Sequence, residues 1–352
     1  MNATIPITVL GATGTVGQRF VRRLVRHPLF HIEHLAASER SAGKTYAEAC
    51  EWRLGGEPYG GLASKRLVAA DPARALAPIV FSALDSGPAR EIEPQFAAAG
   101  ANVFSNASAF RMEPDVPLLV PEVNPSHLDI LRLQRERRGW TGSISTNPNC
   151  TTTILVMALA PLHTRFGVEA LVMSSLQAVS GAGYPGVPSL DILGNVIPHI
   201  AGEEEKVEIE SKKLLGSFGN QGAELAEFAA SATCHRVPVL EGHTLAVSVR
   251  LRGAPSPADV RETLAQWRGN AREWNLPSAP AKPLVLHDAP NRPQPRLDVE
   301  ECEGMAVHVG RIRTCPLLGI KFTVLGHNTE RGAAGGSLLN AELALARGSL
   351  QR

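Results

Sequence analysis

The sequence predicts an α/β protein in which a doubly wound parallel sheet is followed by an α+β domain with a mixed, largely antiparallel sheet. Three observations carry this expectation. A glycine-rich turn lies between an N-terminal apolar strand and an amphipathic helix, and strands and helices then alternate through the first part of the chain. Beyond about Val168, long alternating strand-like segments replace that pattern. At 352 residues the chain exceeds the usual size of one domain, which favours a division in two.

Composition narrows the function classes. A hydrophobic fraction of 44%, a charged fraction of 20% and a formal net charge of +1 belong to an ordinary globular protein and give no footprint for nucleic acid. Apolar runs such as Thr153–Ala160 stop well short of the ~20 residues of a membrane span, and Met1–Leu10 lacks the basic start of a signal peptide. The chain therefore reads as cytoplasmic. Its five cysteines are widely spaced and form no C-x-x-C pair, which points to a reducing compartment. No H-E-x-x-H or comparable ligand pair is present, so no metal site is expected.

The first unit is read in order. Ile5–Leu10 is a buried strand leading into Gly11-Ala12-Thr13-Gly14-Thr15-Val16-Gly17, and a helix follows in which Val16, Phe20 and Leu24 share a face. Arg19, Arg22, Arg23 and Arg26 are expected to face water. Ile32–Ala37 completes a β–turn–α–β unit of Rossmann-like type, in which glycines let the backbone approach a pyrophosphate and the helix start offers free N–H groups. Gly11, Thr13, Gly14, Thr15 and Val16 are the expected cofactor contacts; taken alone, the motif is also compatible with a plain tight turn.

Where an NAD site usually carries an acid, the chain has Ser38-Glu39-Arg40-Ser41-Ala42-Gly43-Lys44. Arg40, with Ser38 and Ser41 as neutral donors, would hold a 2′-phosphate and select NADP. Glu39 is the contrary sign, and a solvated polar loop remains the other reading. Strands at Ile79–Ala83 and Ala101–Phe104 flank a helix at Ala89–Ala99. Ser82 and Asn106 lie at strand ends, where open α/β sheets bind ligands, although either segment also reads as a turn.

In the second unit the expected strands are Leu171–Val179, Thr244–Arg252, Ala306–Arg313 and Gly319–Leu325, with a helix at Pro257–Arg268. Ala279–Pro295 reads as surface loops or oligomer arms. Gly332–Gly336 reads as a turn opening a terminal helix, Ser337–Ala346, with Leu339 and Leu343 on one face, that returns to the first domain. The expected domains are residues 1–149 with 330–352 for NADP binding, and 150–329 for catalysis.

The chemistry centres on Ser145-Thr146-Asn147-Pro148-Asn149-Cys150-Thr151-Thr152-Thr153. A helix should begin here with Cys150 in its first turn, where the helix dipole would lower the thiol pKa from ~8.5. Backbone N–H groups and the Asn149 side chain could then stabilise an oxyanion. Judged on its own, Cys150 is equally compatible with a small buried core residue.

At this stretch the sequence resembles the aspartate-β-semialdehyde dehydrogenase family, in its archaeal and fungal-like branch. The segments that carry the resemblance are Gly11–Gln18, Ser38–Lys44, Asn147–Thr152, Ser180–Gly186 (S-G-A-G-Y-P-G), Gly202–Lys206 (G-E-E-E-K), Arg236–Thr244 (R-V-P-V-L-E-G-H-T) and Arg331–Glu342 (R-G-A-A-G-G-S-L-L-N-A-E). They follow one another along nearly the whole chain.

The resemblance implies a glyceraldehyde-phosphate-dehydrogenase-like fold and a role for each matching residue. Cys150 would be the nucleophile, Gln177 would orient the substrate, and His243 would be the general acid/base. Arg236 would grip the substrate α-carboxylate, Arg111 and Lys206 would bind phosphate, and Glu203 would meet the substrate amino group or brace Lys206. Gly181 and Asn328 would join the cofactor contacts. The implied reaction is NADP-dependent, reversible reductive dephosphorylation of L-aspartyl-4-phosphate to L-aspartate-4-semialdehyde through a Cys150 thioester, in lysine, methionine and threonine biosynthesis. The implied partners are that small substrate and inorganic phosphate, in a homodimer or homotetramer, so that residues 150–329 serve dimerisation as well as catalysis. Competing readings are an acyl-CoA reductase such as malonyl-CoA reductase, N-acetyl-glutamyl-phosphate reductase, and a cysteine hydrolase or acyltransferase using Cys150 with His243.

Overall fold

A computed structural model describes residues 4–350. Its first sheet comprises β1 (Ile5–Leu10), β2 (Phe30–Ala37), β3 (Val68–Ala69), β4 (Ile79–Ser82), β5 (Asn102–Ser105) and β6 (Ser143–Thr146). All are parallel, in the order β3-β2-β1-β4-β5-β6, joined through α1 (Thr15–Leu24), α2 (Tyr46–Ala49), α3 (Pro72–Ala75), α4 (Ser86–Ala98) and α5 (Ile130–Arg138). Leu10 pairs with Ala36 on one side and Ser82 on the other, so three strand ends open on one crevice where the strand order reverses. Ligands bind at such a reversal.

The turn after β1 needs its glycines. Gly11 has a φ of +70°, and a Cβ there would stand 2.7 Å from the Ala83 carbonyl oxygen. A Cβ on Gly17 would come within 2.2 Å of the Gly11 carbonyl. The helix can therefore start hard against the strand only with both glycines in place.

The second unit begins with α6 (Cys150–Phe166), whose residues Thr151–Leu162 are all buried. There follow β7 (Val168–Gln177), α7 (Ser189–Ile192), α8 (Glu203–Leu215), a hairpin of β8 (Ser217–Gly219) and β9 (Gly222–Glu224), β10 (Ala229–Arg236) and β11 (His243–Leu251). The chain continues through α9 (Pro257–Gln266), β12 (Leu284–His287), α10 (Pro295–Asp298), β13 (Val307–Cys315), β14 (Gly319–Gly326) and α11 (Gly335–Ala346). The sheet order is β10-β7-β11-β14-β13-β12; the two outer pairings are parallel and the three inner ones antiparallel. One face of this sheet packs α6 and α9 into the larger core, with Leu155, Met157, Leu159, Val247 and Val324 among its members. Burying five such side chains contributes about 1.5–3 kcal/mol each relative to exposure, which fixes the start of α6 rigidly against the sheet.

Three expectations are corrected. Of the four arginines expected to face water, Arg22 and Arg26 are exposed, but Arg19 and Arg23 are not, and Arg19, Arg22 and Arg23 close around the fully buried Glu330 carboxylate. Burial by itself would raise the Glu330 pKa, but the Arg23 and Arg19 guanidinium groups outweigh it and hold the carboxyl below its ordinary value. Ala279–Pro295 is not only loop, because Leu284–His287 adds the edge strand β12 beside β13. The glycines at 332–336 do not form an open turn. Glu330–Ala334 is a wide π-type helical turn running straight into α11, which is buried on every side from Gly335 to Ala344 rather than on one face.

The terminal helix packs with β1, β4 and α1 residues in a second core containing Ile7, Phe20, Phe81, Leu338, Leu339 and Leu343. The chain thus crosses back to the first sheet, and a buried bidentate pair, Arg331 to Glu122 at 2.6 Å through both guanidinium nitrogens, anchors the crossing. Among the described residues no helix is long and apolar enough to cross a membrane. All five cysteines are free.

Candidate active site

A cleft of about 420 Å³ opens at the strand ends of the first sheet and is closed on its far side by the second unit. Thr15 and Val16 line it after β1, Ala83–Ser86 after β4, Asn106–Ser108 after β5 and Pro148–Cys150 after β6. From the second unit come Ser180–Gly183, Lys206, Asn328, Thr329, Gly332 and Ala333. Sequence positions more than 300 residues apart meet here because one chain builds both walls.

Cys150 is the first residue of α6 and half-buried at the cleft floor, with its sulfur 3.3 Å from His243 Nε2. His243 opens β11 and is fully buried, and its Nδ1 accepts the Ala178 backbone N–H at 3.1 Å. That bond assigns the tautomer: a neutral ring accepting at Nδ1 carries its proton on Nε2, facing the sulfur. Burial, then the charge of Arg236, push the His243 pKa down to about 3. The imidazolium is therefore not the resting form.

The thiol moves the other way. Burial first, and then the Glu203 carboxylate, raise the Cys150 pKa above its ordinary value, while Arg111, Arg236 and the Thr151 N–H oppose them. This corrects the expectation that the helix start alone yields an activated thiolate. The reason lies in what faces that start. Glu203 accepts from Asn149 Nδ2 at 2.9 Å, Gln177 Nε2 at 3.1 Å and Thr151 Oγ1 at 3.2 Å; Glu210 accepts the Asn149 backbone N–H at 2.6 Å and Arg111 Nη1 at 3.0 Å. Two buried carboxylates offset the positive end of α6.

Asn149 is engaged differently from expectation. Its Oδ1 caps the helix through the Thr152 N–H at 3.0 Å and its amide nitrogen reaches Glu203, so the side chain holds the local frame instead of facing the sulfur as a free oxyanion donor. Gln177, at the end of β7, has its nitrogen tied to Ser175 Oγ and Glu203. Arg236, at the end of β10, donates to the Ala178 carbonyl at 2.8 Å. Neither Arg236 nor Lys206 has an ion-pair partner among the described residues, whereas Arg111 pairs with Glu210 and leaves its Nε enclosed without one.

Gly181 is the cover of this group. A Cβ there would lie 2.8 Å from Arg236 Nη1 and 3.2 Å from His243 Nε2, so only glycine lets the loop close over both. Asn328 accepts the Gly242 N–H and donates to Ser180 Oγ, holding the turn that precedes His243. Of the remaining cofactor candidates, Asn106 faces the cleft with its Oδ1 enclosed and unpartnered, and Gly14 is exposed at the bare start of α1. Gly11 and Thr13 shape the turn behind it. Ser38, Arg40 and Ser41 follow β2 at the same sheet edge, with Ser38 and Arg40 exposed and Ser41 half-buried. Ser82 is not brought to the cleft; it is fully buried and its hydroxyl oxygen accepts the Leu84 N–H at 3.5 Å.

Two residues were missed. Glu210 lies seven after Glu203 and four after Lys206, on one face of α8, a spacing that could have revealed it. Gly332 presses on the nucleophile: a Cβ there would meet Cys150 Cβ at 2.6 Å, and no local sequence signal points to that contact.

Comparison with known proteins agrees with this arrangement. Residues 6–131 match the family described as Semialdehyde dehydrogenase, NAD binding domain, and residues 159–331 that described as Semialdehyde dehydrogenase, dimerisation domain. The chain is 52% identical over 337 residues to the aspartate-semialdehyde dehydrogenase of Archaeoglobus fulgidus, covering 96% of this chain and 97% of that protein. It is 47% identical over 362 residues to that of Cryptococcus neoformans, covering 99% and 98%. Among solved structures, aspartate semialdehyde dehydrogenase with NADP from Candida albicans superimposes with a TM-score of 0.91 at 41% identity, covering 98% of this chain and 99% of that one. The chain is an oxidoreductase of the aspartate-semialdehyde dehydrogenase family, with both archaeal and fungal relatives.

Proposed function

We propose that the chain interconverts L-aspartyl-4-phosphate and L-aspartate-4-semialdehyde with NADP(H) and inorganic phosphate, through an acyl group carried on Cys150. The observation that carries this reading is the Cys150–His243 contact at 3.3 Å, on the floor of a cleft whose opposite wall is a bare glycine turn and helix start. Residues of the chain suit the cofactor: the Gly11–Gly17 turn admits a pyrophosphate, and the exposed Arg40 beside Ser38 and Ser41 suits a 2′-phosphate. When bound, the dinucleotide supplies or accepts the hydride.

Every other part of the reaction falls to side chains. Arg236 offers its free donors to the substrate α-carboxylate, and Lys206 with Arg111 offers charge to the phosphate. His243 Nε2–H donates to the Cys150 sulfur and so favours the thiolate that attacks, while the thiol proton passes to the departing phosphate oxygen. Phosphate leaves as the thioester forms. In the later thiohemiacetal the same Nε2–H lies beside the former carbonyl oxygen and holds the oxyanion by a hydrogen bond, and collapse of the oxyanion to the aldehyde expels the Cys150 thiolate. Glu203 keeps Gln177 and Asn149 in place and is available to a substrate ammonium.

Residues 1–149 with 330–352 serve cofactor binding in this reading, and 150–329 serve catalysis and dimerisation. The match to a dimerisation domain supports self-assembly, which we assign as a homodimer or homotetramer in the cytoplasm. The test is a steady-state assay of NADP⁺ reduction by aspartate semialdehyde. Rate should depend on added phosphate and be lost in Cys150→Ala while NADP⁺ binding persists; turnover that ignores phosphate, or that is faster from malonyl-CoA with NADPH, removes the assignment.

A further inference from the structure

Far from the cleft, the edge of the second sheet gathers three potential metal ligands. His287 ends β12, His308 lies in β13, and the parallel pairing of those strands, with Val285 opposite His308, brings the two rings together. His287 Nε2 is 3.0 Å from His308 Nδ1. Asp298, at the end of α10, has an oxygen within 4.8 Å of both ligand nitrogens. The loop bearing Asp298 is seated closely on the sheet, because Gly310 leaves room for the Arg292 carbonyl where a Cβ would approach to 2.4 Å.

The donors suit a small divalent ion. Two nitrogens on one zinc, each about 2.0–2.1 Å from it at a tetrahedral angle, stand roughly 3.3 Å apart. The observed 3.0 Å needs only a small opening of the pair. His308 is fully buried and its Nε2 is enclosed without a partner, so this ring interacts through Nδ1. The proton held between the two nitrogens moves to the other nitrogen of its own ring before both ligate.

Asp298 is oriented but not saturated. Arg292 donates to both oxygens, through Nε to Oδ2 at 2.8 Å and Nη2 to Oδ1, and the Gln294 N–H adds a bond to Oδ2 at 2.6 Å. Of the about four lone-pair directions of a carboxylate, the outward one on Oδ1 is left. Hydrogen-bonded carboxylates of this kind are usual around metals. Glu301 Oε2 lies 3.9 Å from His308 Nδ1, within side-chain reach of a fourth position.

We infer that His287, His308 and Asp298 form a binding site for a divalent transition metal of the zinc class, with Glu301 closing it. None of the four residues lines the active-site cleft, so the ion would fasten β12 and the 292–301 segment to β13 without entering the reaction.

The probe is zinc itself, titrated into the metal-free full chain by calorimetry, with cobalt as a spectroscopic substitute. One zinc per chain should bind, and cobalt should give the intense visible bands of a tetrahedral N/O site without a sulfur-to-metal band. Because the Cys150–His243 pair is a second place for zinc, Cys150→Ala is run in parallel and should keep the site. His287→Ala and His287→Gln, at a half-exposed position, should weaken zinc at least about tenfold while retaining phosphate-dependent turnover. Absence of a stoichiometric site in Cys150→Ala, or equal zinc affinity in the His287 variants and the parent, overturns the proposal whatever the activity assays give.

Discussion

Two helices begin at the same cleft, and their starts are treated in opposite ways. At α1 the N-cap is Gly14, no side chain caps it and no acid occupies its first turn. At α6 the Asn149 side chain caps the turn and two buried carboxylates, Glu203 and Glu210, face it. The first end keeps its free N–H groups and its partial positive charge, which suits a pyrophosphate. The second has that charge answered from within the protein, and the half-buried Cys150 thiol is pushed up, not down. A helix start is thus not an activating device in itself; what it does depends on the groups arranged before it.

The strongest way to break this contrast is Glu203→Gln. Removing the carboxylate that raises the thiol should lower the Cys150 pKa, so alkylation by iodoacetamide at neutral pH should accelerate. Turnover should fall in the same variant, because Asn149, Gln177 and Thr151 lose a charged acceptor worth about 1.5–3 kcal/mol per bond, roughly ten- to a hundredfold. Reactivity and catalysis moving together would contradict the account.

A smaller effect is expected when the acid is moved to the other helix. Thr15→Asp places a carboxylate at the bare start of α1. It should raise the melting temperature slightly, by about 0.3–1 kcal/mol of helix stabilisation, yet weaken NADP⁺ about tenfold by repelling the pyrophosphate. Unchanged NADP⁺ affinity would detach that helix start from the cofactor.

The smallest effect is the absence of a titration. With its pKa depressed to about 3, His243 should show no proton uptake between pH 5 and pH 7.5 in the folded enzyme, read by NMR with His243→Asn identifying the signal. The sign for stability follows. The unfolded histidine takes up a proton near pH 6.5 and the folded one does not, so stability present above that pH is lost as pH falls, by about 1.4 kcal/mol per unit down to the folded value. An ordinary His243 titration near 6.5 would mean that burial and the Arg236 charge do not keep the ring neutral.

Much of the fold was legible because its signals are local. The Gly11–Gly17 turn and the helix starting at Cys150 are written in consecutive residues and lie where expected. The electrostatics were not legible, since they depend on pairs distant in the chain. Arg19 meets Glu330 across 311 positions and Arg331 meets Glu122 across 209, so an arginine stripe that looks solvated from the α1 sequence is partly buried. Glu210 was within reach through its helical spacing from Glu203. The His287–His308 contact was not, because it exists only once β13 is paired with the unanticipated edge strand β12.

The central claim is that Cys150 carries the acyl group, and a single turnover without reductant tests it most directly. Mixed with L-aspartyl-4-phosphate in the absence of NADPH, the enzyme should release one phosphate per active site. Mass spectrometry should find the aspartyl group on the peptide containing Cys150, and added NADPH should discharge it as the semialdehyde. Phosphate release that requires NADPH, with no adduct on that peptide, would contradict the account.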